Sequence, residues 1–183
     1  MIAHARRLRS AAISLMVLIG LALPGALAAA MPREVTTALP QAKPVGSAKV
    51  SFLFWRVFEA NLWSDADEFS WQRPLALSLV YRRDFSAQEL TDSSIEEMDR
   101  LTDWSRQDLA TFRTDLAPCM ANVGDGDRIT AVGRSEDSVE IYLNGQQRCS
   151  LEQPGLRRAF FSIWLSQNSK FPEQSRQLLG FAD

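Results

Sequence analysis

Residues 47–61 read SAKVSFLFWRVFEAN and form the longest apolar run outside the N-terminus of this 183-residue chain. The run is rich in Phe, Val and Trp and contains no Pro or Gly, which favours a β-strand over a helix. Both faces are apolar as far as Trp55, so the pattern predicts a long strand covered by helices on one side and by sheet or a ligand on the other. Arg56 interrupts the run with a charge, and the alternation of side chains slips there, which predicts a bulge.

The other predicted elements are typical of an α+β domain. Strands are predicted at residues 57–63, 75–81, 129–132, 139–143 and 148–151, and helices at 87–90, 94–101, 104–116, 154–164 and 172–179. Because this order is not a regular βαβ alternation, it predicts a mostly antiparallel sheet with helices on one face. Residues 29–46, which contain three prolines, are predicted to be an extended leader into a single domain at 47–183.

The N-terminus has the composition of a cleaved signal peptide. Arg6, Arg7 and Arg9 precede an apolar segment at residues 11–23, and residues 26–28 read ALA, a typical cleavage site. We therefore predict removal of residues 1–28 and a periplasmic or secreted protein with no membrane span after cleavage. The alternative is an uncleaved N-terminal anchor.

Composition excludes several classes of function for the mature domain. Loss of the three arginines leaves 17 basic and 22 acidic residues, and a mildly acidic domain without a basic cluster is a poor nucleic-acid binder. The only histidine, His4, lies in the predicted signal peptide, which removes Ser-His and Cys-His catalysis and the usual zinc sites. The acidic turn at residues 125–127 lacks a complete calcium-loop pattern. We predict no metal and no cofactor.

Two cysteines, Cys119 and Cys149, remain after cleavage. In an oxidising compartment such a pair favours a disulfide. Two separate buried thiols are the alternative.

Three residues of the strand region are candidate ligand contacts. Arg56 either binds the carboxylate of a ligand at the edge of an apolar cleft or pairs with an acid such as Glu59 or faces solvent. Trp55, with its neighbours Trp63 and Trp71, suits either a fatty or flat ligand or the hydrophobic core. Tyr81 is either a polar contact in the cleft or an ordinary strand tyrosine, and the same choice applies to Tyr142.

Short motifs follow one another along the chain in a fixed order. Residues 57–63 read VFEANLW and precede a strand that ends in YRRD at 81–84. The C-terminal third contains GDR at 126–128, NG at 144–145, FSIWL at 161–165 and LLG at 178–180. Over essentially the whole mature domain this ordered set resembles the bacterial exported chalcone isomerase-like family. The resemblance implies an open-faced β-sandwich in which helices back a long curved sheet, with a cleft between the two layers.

The resemblance also implies two kinds of function. Plant chalcone isomerases use an early arginine, a threonine and a helical tyrosine and asparagine, whereas relatives with the same fold bind fatty acids without catalysis. In this chain Lys49 stands at the start of the run instead of an arginine, Leu53 to Trp55 stand where a threonine is expected, and residues 94–116 contain no Tyr or Asn. We therefore carry over no catalytic residue.

Three functional hypotheses follow. The first is non-catalytic binding of a small apolar or amphipathic molecule, such as a fatty acid, with Arg56 as a ligand contact. The second is an isomerase (intramolecular lyase) that uses Arg and Tyr and requires a tyrosine hydroxyl near an arginine in the cleft. The third is a structural or partner-binding protein whose cleft is filled by its own side chains. The oligomeric state is not predicted.

Overall fold

A computed structural model of the chain describes residues 30–52, 55–66 and 68–181, and the side chains of residues 52, 55 and 56 lie outside this description. Six strands form one antiparallel sheet in the order β1-β2-β3-β4-β5-β6, so each strand pairs with its neighbours in sequence. The strands are β1 Lys43–Phe52, β2 Trp55–Ser64, β3 Leu75–Tyr81, β4 Arg128–Gly133, β5 Ser138–Leu143 and β6 Gln146–Glu152. The helices are α1 Arg33–Ala38, α2 Ala87–Leu101, α3 Arg106–Leu116, α4 Leu156–Leu165 and α5 Pro172–Leu178. The predicted α+β class with an antiparallel sheet is confirmed.

The apolar run at residues 47–61 lies in two strands, β1 and β2. The prediction was a long strand that a second extended piece at 57–63 follows after a bulge at Arg56, and it missed the reversal of the chain between the two. The chain returns antiparallel on itself, with Phe52 paired to Trp55 and Ala48 paired to Ala60. A bulge is present near Arg56 as predicted, because Val50 pairs with Phe58 and Ser51 with Arg56. The hydrophobic residues that suggested one strand with two covered faces therefore belong to two neighbouring strands of the sheet.

The segment before the run is not an extended leader as predicted. Residues Arg33–Ala38 form α1, and β1 begins at Lys43, four residues before the predicted domain boundary. Val35 and Ala38, three residues apart on one side of α1, are buried. A six-residue helix is not stable alone, so its contacts with the sheet hold it in place.

The other helices form a layer on the opposite face of the sheet, which we call the inner face. α2 is one helix where two were predicted, and it begins at the predicted capping box, in which Ser86 and Glu89 bond each other's backbone N–H. The predicted disulfide is present and joins Cys119, which follows α3, to Cys149 on the edge strand β6. The helix layer is thereby linked covalently to the sheet.

Glycine is required where α5 crosses the edge strand. A Cβ atom added to Gly46 would lie 2.2 Å from the backbone oxygen of Gln177 and 2.5 Å from that of Leu178. The close approach of α5 to β1 therefore needs a residue without a side chain.

Strand alternation divides the buried residues into two clusters, one on each face of the sheet. On β3, Leu75, Leu77, Leu79 and Tyr81 belong to the large inner cluster, which includes the helix layer. The small cluster on the outer face lies between α1 and the sheet and consists of Val35, Ala38, Leu39, Trp63, Ala76 and Val132. Among the described helices, none combines the length and apolar character needed to cross a membrane.

Candidate ligand-binding site

A cavity of about 350 Å3 lies between the inner face of the sheet and the helix layer. The sheet contributes apolar side chains from three adjacent strands, among them Val57, Phe58, Leu77, Leu79, Ile129 and Ala131. The helix side of the cavity includes Leu90, Met120, Phe160, Ile163 and Trp164. A cavity of this size with an apolar lining and few polar groups is typical of small-molecule sites.

Four aromatic rings form a row that borders this cavity. Phe171, Phe58, Tyr81 and Phe85 all line it, and each contacts the next edge to face, with ring centroids 6.3, 6.3 and 5.6 Å apart. Phe171 is 36% exposed at one end of the row, whereas Phe58 and Tyr81 are buried. The row therefore runs from solvent into the cavity wall and presents an apolar aromatic surface to any molecule inside.

Tyr81 contributes the hydroxyl of this aromatic row. Burial raises the pKa of its hydroxyl well above the ordinary value. Its hydroxyl makes no hydrogen bond to another residue in the part of the chain that the structure describes. The hydroxyl therefore stays protonated near neutral pH and can donate a hydrogen bond to a ligand.

The exposed lining residues Glu89, Ser93, Lys170 and Phe171 form what we call the rim of the cavity. The Glu89 carboxylate accepts hydrogen bonds from the backbone N–H and the hydroxyl of Ser86, both at 2.8 Å, and these bonds lower its pKa. Glu89 is therefore ionised and held in the cap of α2. Lys170 and Phe171 come from the loop between α4 and α5.

A buried carboxylate fixes this loop to α2. Glu97 also lines the cavity, is 2% exposed, and accepts a hydrogen bond from the backbone N–H of Lys170 at 3.0 Å. Its carboxylate is bound by both Arg100 Nε and a terminal nitrogen of Arg100, and that residue also donates to the Asn168 backbone oxygen at 2.6 Å. The hydrogen bond to Glu97 is the main cause of the raised pKa of Arg100. The charge of Glu97 is thus compensated, and the rim has a defined geometry.

A second groove, of about 750 Å3, runs along β1, β2 and α5. It is larger, but its lining includes the exposed polar residues Ser47 and Lys49 together with Gln174 and Gln177. A mostly apolar lining favours ligand binding more than volume alone, so we take the inner cavity as the candidate site. No group of three or more His, Cys, Asp and Glu side chains within the described residues is arranged to hold a metal ion.

A sequence model of the chalcone isomerase-like family matches residues 59–180, about two thirds of the chain. The chain belongs to the chalcone isomerase-like family. The match begins within β2, so α1 and β1 precede the region that the family model covers. A comparison of the sequence with curated proteins finds no match.

The fold of this chalcone isomerase-like chain is similar to that of a solved plant protein. The crystal structure of a fatty-acid binding protein from Arabidopsis thaliana matches it with a TM-score of 0.61 and 10% sequence identity, covering 76% of this chain and 87% of the plant chain. At this identity the likeness shows the fold alone. It agrees with the open sheet backed by helices that the family resemblance implied.

The predicted ligand contacts divide into one that the structure places in the cavity and two that lie outside its description. Tyr81 lines the cavity. The side chains of Trp55 and Arg56 lie outside the described residues, so both stay predictions. Tyr142 lies on the outer face of the sheet and donates a hydrogen bond to Glu140 at 2.6 Å.

The two neighbouring tryptophans are core residues. Trp63 is 3% exposed and packs in the outer cluster beneath α1. Trp71 packs on the edge of the inner core, with its ring centroid 5.0 Å from that of Phe69. Neither lines the cavity.

The rim residues Lys170 and Phe171 were not predicted as site residues. They follow SQNS in a loop, and neither belongs to an apolar period or a recognised motif. The hydrogen bond from Lys170 to Glu97 joins positions 73 residues apart, which only the tertiary structure reveals. Met120 was likewise missed, although its place beside Cys119 in a disulfide-linked segment is a weak signal of burial.

Proposed function

We propose that this chalcone isomerase-like protein is an exported, non-catalytic binding protein for a small apolar or amphipathic molecule such as a fatty acid. The apolar cavity between the inner face of the sheet and the helix layer is the observation that carries the proposal. A structural protein was expected to fill this gap with its own side chains, and about 350 Å3 is left open instead.

The size of the cavity supports a molecule of modest length. A water molecule takes up about 30 Å3 of the liquid, so the space corresponds to roughly a dozen groups of that size. A single alkyl chain with a small polar head meets this limit. Tyr81 supplies a hydrogen-bond donor within the apolar wall, and the predicted contacts Arg56 and Trp55 complete the proposed site.

The state of Tyr81 supports binding in preference to catalysis. An isomerase that used Arg and Tyr would need a tyrosine hydroxyl that exchanges its proton during the reaction. A general acid or base works best with a pKa near the operating pH. Burial moves the pKa of Tyr81 in the opposite direction.

Export is supported by the N-terminal sequence and by the disulfide. The charged and apolar segments before residue 28 have the order of a signal peptide. A bond between Cys119 and Cys149 persists in oxidising compartments such as the periplasm. Cell fractionation with N-terminal sequencing of the mature protein would test this part: we expect a periplasmic or secreted chain that starts near residue 29, and a cytoplasmic chain that retains Met1 would contradict it.

Lipid extraction and mass spectrometry of the purified protein test the binding proposal directly. We expect a co-purified single-chain lipid and, after its removal, a saturable change in tryptophan fluorescence on titration with dodecanoate, because Trp164 lines the cavity. No extracted ligand and no dodecanoate binding would overturn the proposal.

A matched pair of variants assigns that binding to the cavity. Ala131→Leu adds a larger side chain to the cavity wall and should weaken dodecanoate binding about tenfold. Ala110→Leu makes the same change on the exposed side of α3 and should leave affinity unchanged. Equal affinities of the two variants would place the ligand elsewhere.

A further inference from the structure

We propose that Lys170 receives the anionic head group of a single-chain amphiphile whose alkyl chain occupies the inner cavity. This inference rests on the proposed binding function and goes beyond it, because it assigns the charge and the orientation of the ligand. It places the head group at the rim, on the loop between α4 and α5, and the chain along β3 toward Leu77.

Lys170 is the only cation among the lining residues whose side chains the structure describes. Its ammonium group is 3.0 Å from Glu96 Oε1 and 3.8 Å from Glu97 Oε2. The Lys170 side chain is 45% exposed and that of Glu96 is 72% exposed. A surface ion pair of this kind contributes little to stability, so an arriving carboxylate can replace Glu96 at low cost.

The neighbouring acids are already engaged in other interactions. Glu97 is bound by Arg100 and by the backbone N–H of Lys170, and Glu89 is bound by Ser86. Neither carboxylate depends on the Lys170 ammonium group for its hydrogen bonds. The ammonium group is therefore the exchangeable partner at the rim, and Glu96 is the competitor that a ligand displaces.

The position of Lys170 also matches the division of an amphiphile into head and chain. Phe171, the next residue, packs against Phe58 and lines the cavity. Glu97 and Arg100 hold the loop backbone in place. The charged side chain of Lys170 and the apolar ring of Phe171 are thus adjacent in the sequence, on a loop that α2 holds in place.

Titration of the mature protein with dodecanoate and with dodecanol tests the assignment. We expect Lys170→Gln to weaken dodecanoate binding about fivefold and Lys170→Arg to retain it, because an exposed charge pair is lost in the first variant alone. Dodecanol binding should change less than about twofold, because its hydroxyl carries no charge that could pair with Lys170. Arg83→Gln is the matched control, since Arg83 lies over the Phe85 ring at 4.9 Å but does not line the cavity; it should affect neither ligand.

Glu96→Gln provides a gain of function that a purely structural role of Lys170 would not produce. Removal of the competing carboxylate should tighten dodecanoate binding about twofold. Equal weakening of both ligands by Lys170→Gln, or a loss of dodecanoate binding in Arg56→Gln with none in Lys170→Gln, would overturn the assignment while the binding function stands. If neither ligand binds the wild-type protein, the proposed function fails with it.

Discussion

The inner and outer faces of the sheet are both covered by helices, and the apolar cavity described above lies on the inner face. On the outer face, the six residues of α1 pack onto Trp63 and Val132, which are 3% and 0% exposed. On the inner face, the longer helices α2 and α4 and the segment after α3 border a cavity of about 350 Å3. Burial of apolar strands therefore does not by itself produce a filled core.

The two faces also use their buried carboxylates differently. Glu34 of α1 has a side chain that is 1% exposed, and it accepts hydrogen bonds from Arg128 and Thr130 of β4, which fixes the helix to the sheet. Glu97 on the inner side fixes a loop to α2 at the border of the cavity. The Glu34 interactions hold α1 on the outer face of the sheet. The Glu97 interaction instead positions the loop that borders the cavity.

Loss of the disulfide has the largest expected effect, and it should change the inner face alone. Cys119→Ser combined with Cys149→Ser should lower the free energy of unfolding by about 3–4 kcal/mol, because a loop of 30 residues is released in the unfolded chain. Dodecanoate affinity should fall as well, since Met120 beside the bond lines the cavity. Urea unfolding and ligand titration measure the two effects, and reduction of the wild-type protein should reproduce them. A stability loss without any change in affinity would contradict the link to the cavity.

Substitution of Arg128 should destabilise the protein from the outer face without changing ligand binding. Arg128→Met leaves the Glu34 carboxylate buried without its cation, at an expected cost of about 3 kcal/mol in urea unfolding. Arg134→Met on the same face removes a 3.1 Å pair with Glu140, in which the Arg134 side chain is 55% exposed, and should cost less than about 1 kcal/mol. Similar losses in the two variants, or weakened dodecanoate binding in Arg128→Met, would show that the faces are not independent.

Two leucines on the inner face of β3 distinguish filled core from cavity wall. Leu75 is fully buried and does not line the cavity, whereas Leu77 lines it. Leu77→Ala should cost about 1 kcal/mol less than Leu75→Ala, because a side chain beside a void has fewer contacts to lose. Leu77→Ala should also shift the preference from dodecanoate to tetradecanoate by about threefold, since added methylenes fill the new space. An equal shift in Leu75→Ala would contradict the assignment of the cavity wall.

Alkaline titration compares the two faces through their tyrosines and has the smallest expected effect. Burial raises the pKa of Tyr81 more than that of Tyr142, which burial and then its hydrogen bond to Glu140 raise to about 12. An unfolded tyrosine has a pKa of about 10, so above that pH the unfolded state loses the proton first and stability falls, by up to about 1.4 kcal/mol per pH unit for each group. Tyr81→Phe should therefore flatten the decline of the unfolding free energy above pH 10 more than Tyr142→Phe does. The reverse order would contradict the deeper burial of Tyr81.

Local signals in the sequence predicted much of the fold. The Ser86–Glu89 capping box begins α2, and Asn144-Gly145 forms the turn between β5 and β6 with positive φ at both residues. The disulfide partners followed from the count of two cysteines. The capping box and the turn depend on residues at most three positions apart, and the disulfide depends on the number of cysteines. The sequence alone is therefore enough to predict them.

The errors arose where tertiary contacts decide the structure. No Gly, Pro or Asn stands between Phe52 and Trp55, so the pairing of β1 with β2 carries no turn signal, and a bulge at Arg56 was predicted in place of a chain reversal. α1 contains two β-branched threonines and is stabilised by the sheet, which its own sequence does not reveal. The cavity rim joins Glu97 to Lys170 through a contact that no periodic pattern encodes.

The most direct test of a ligand cavity on the inner face is the set of NMR contacts between 13C-labelled dodecanoate and the methyl groups of the protein. We predict nuclear Overhauser effects from the alkyl chain to Leu77, Leu79 and Ile129, which line the cavity, and none to Val35 and Val132, which pack beneath α1. Contacts to the Val35 and Val132 methyl groups, or no contact to the inner leucines at saturating ligand, would contradict the account.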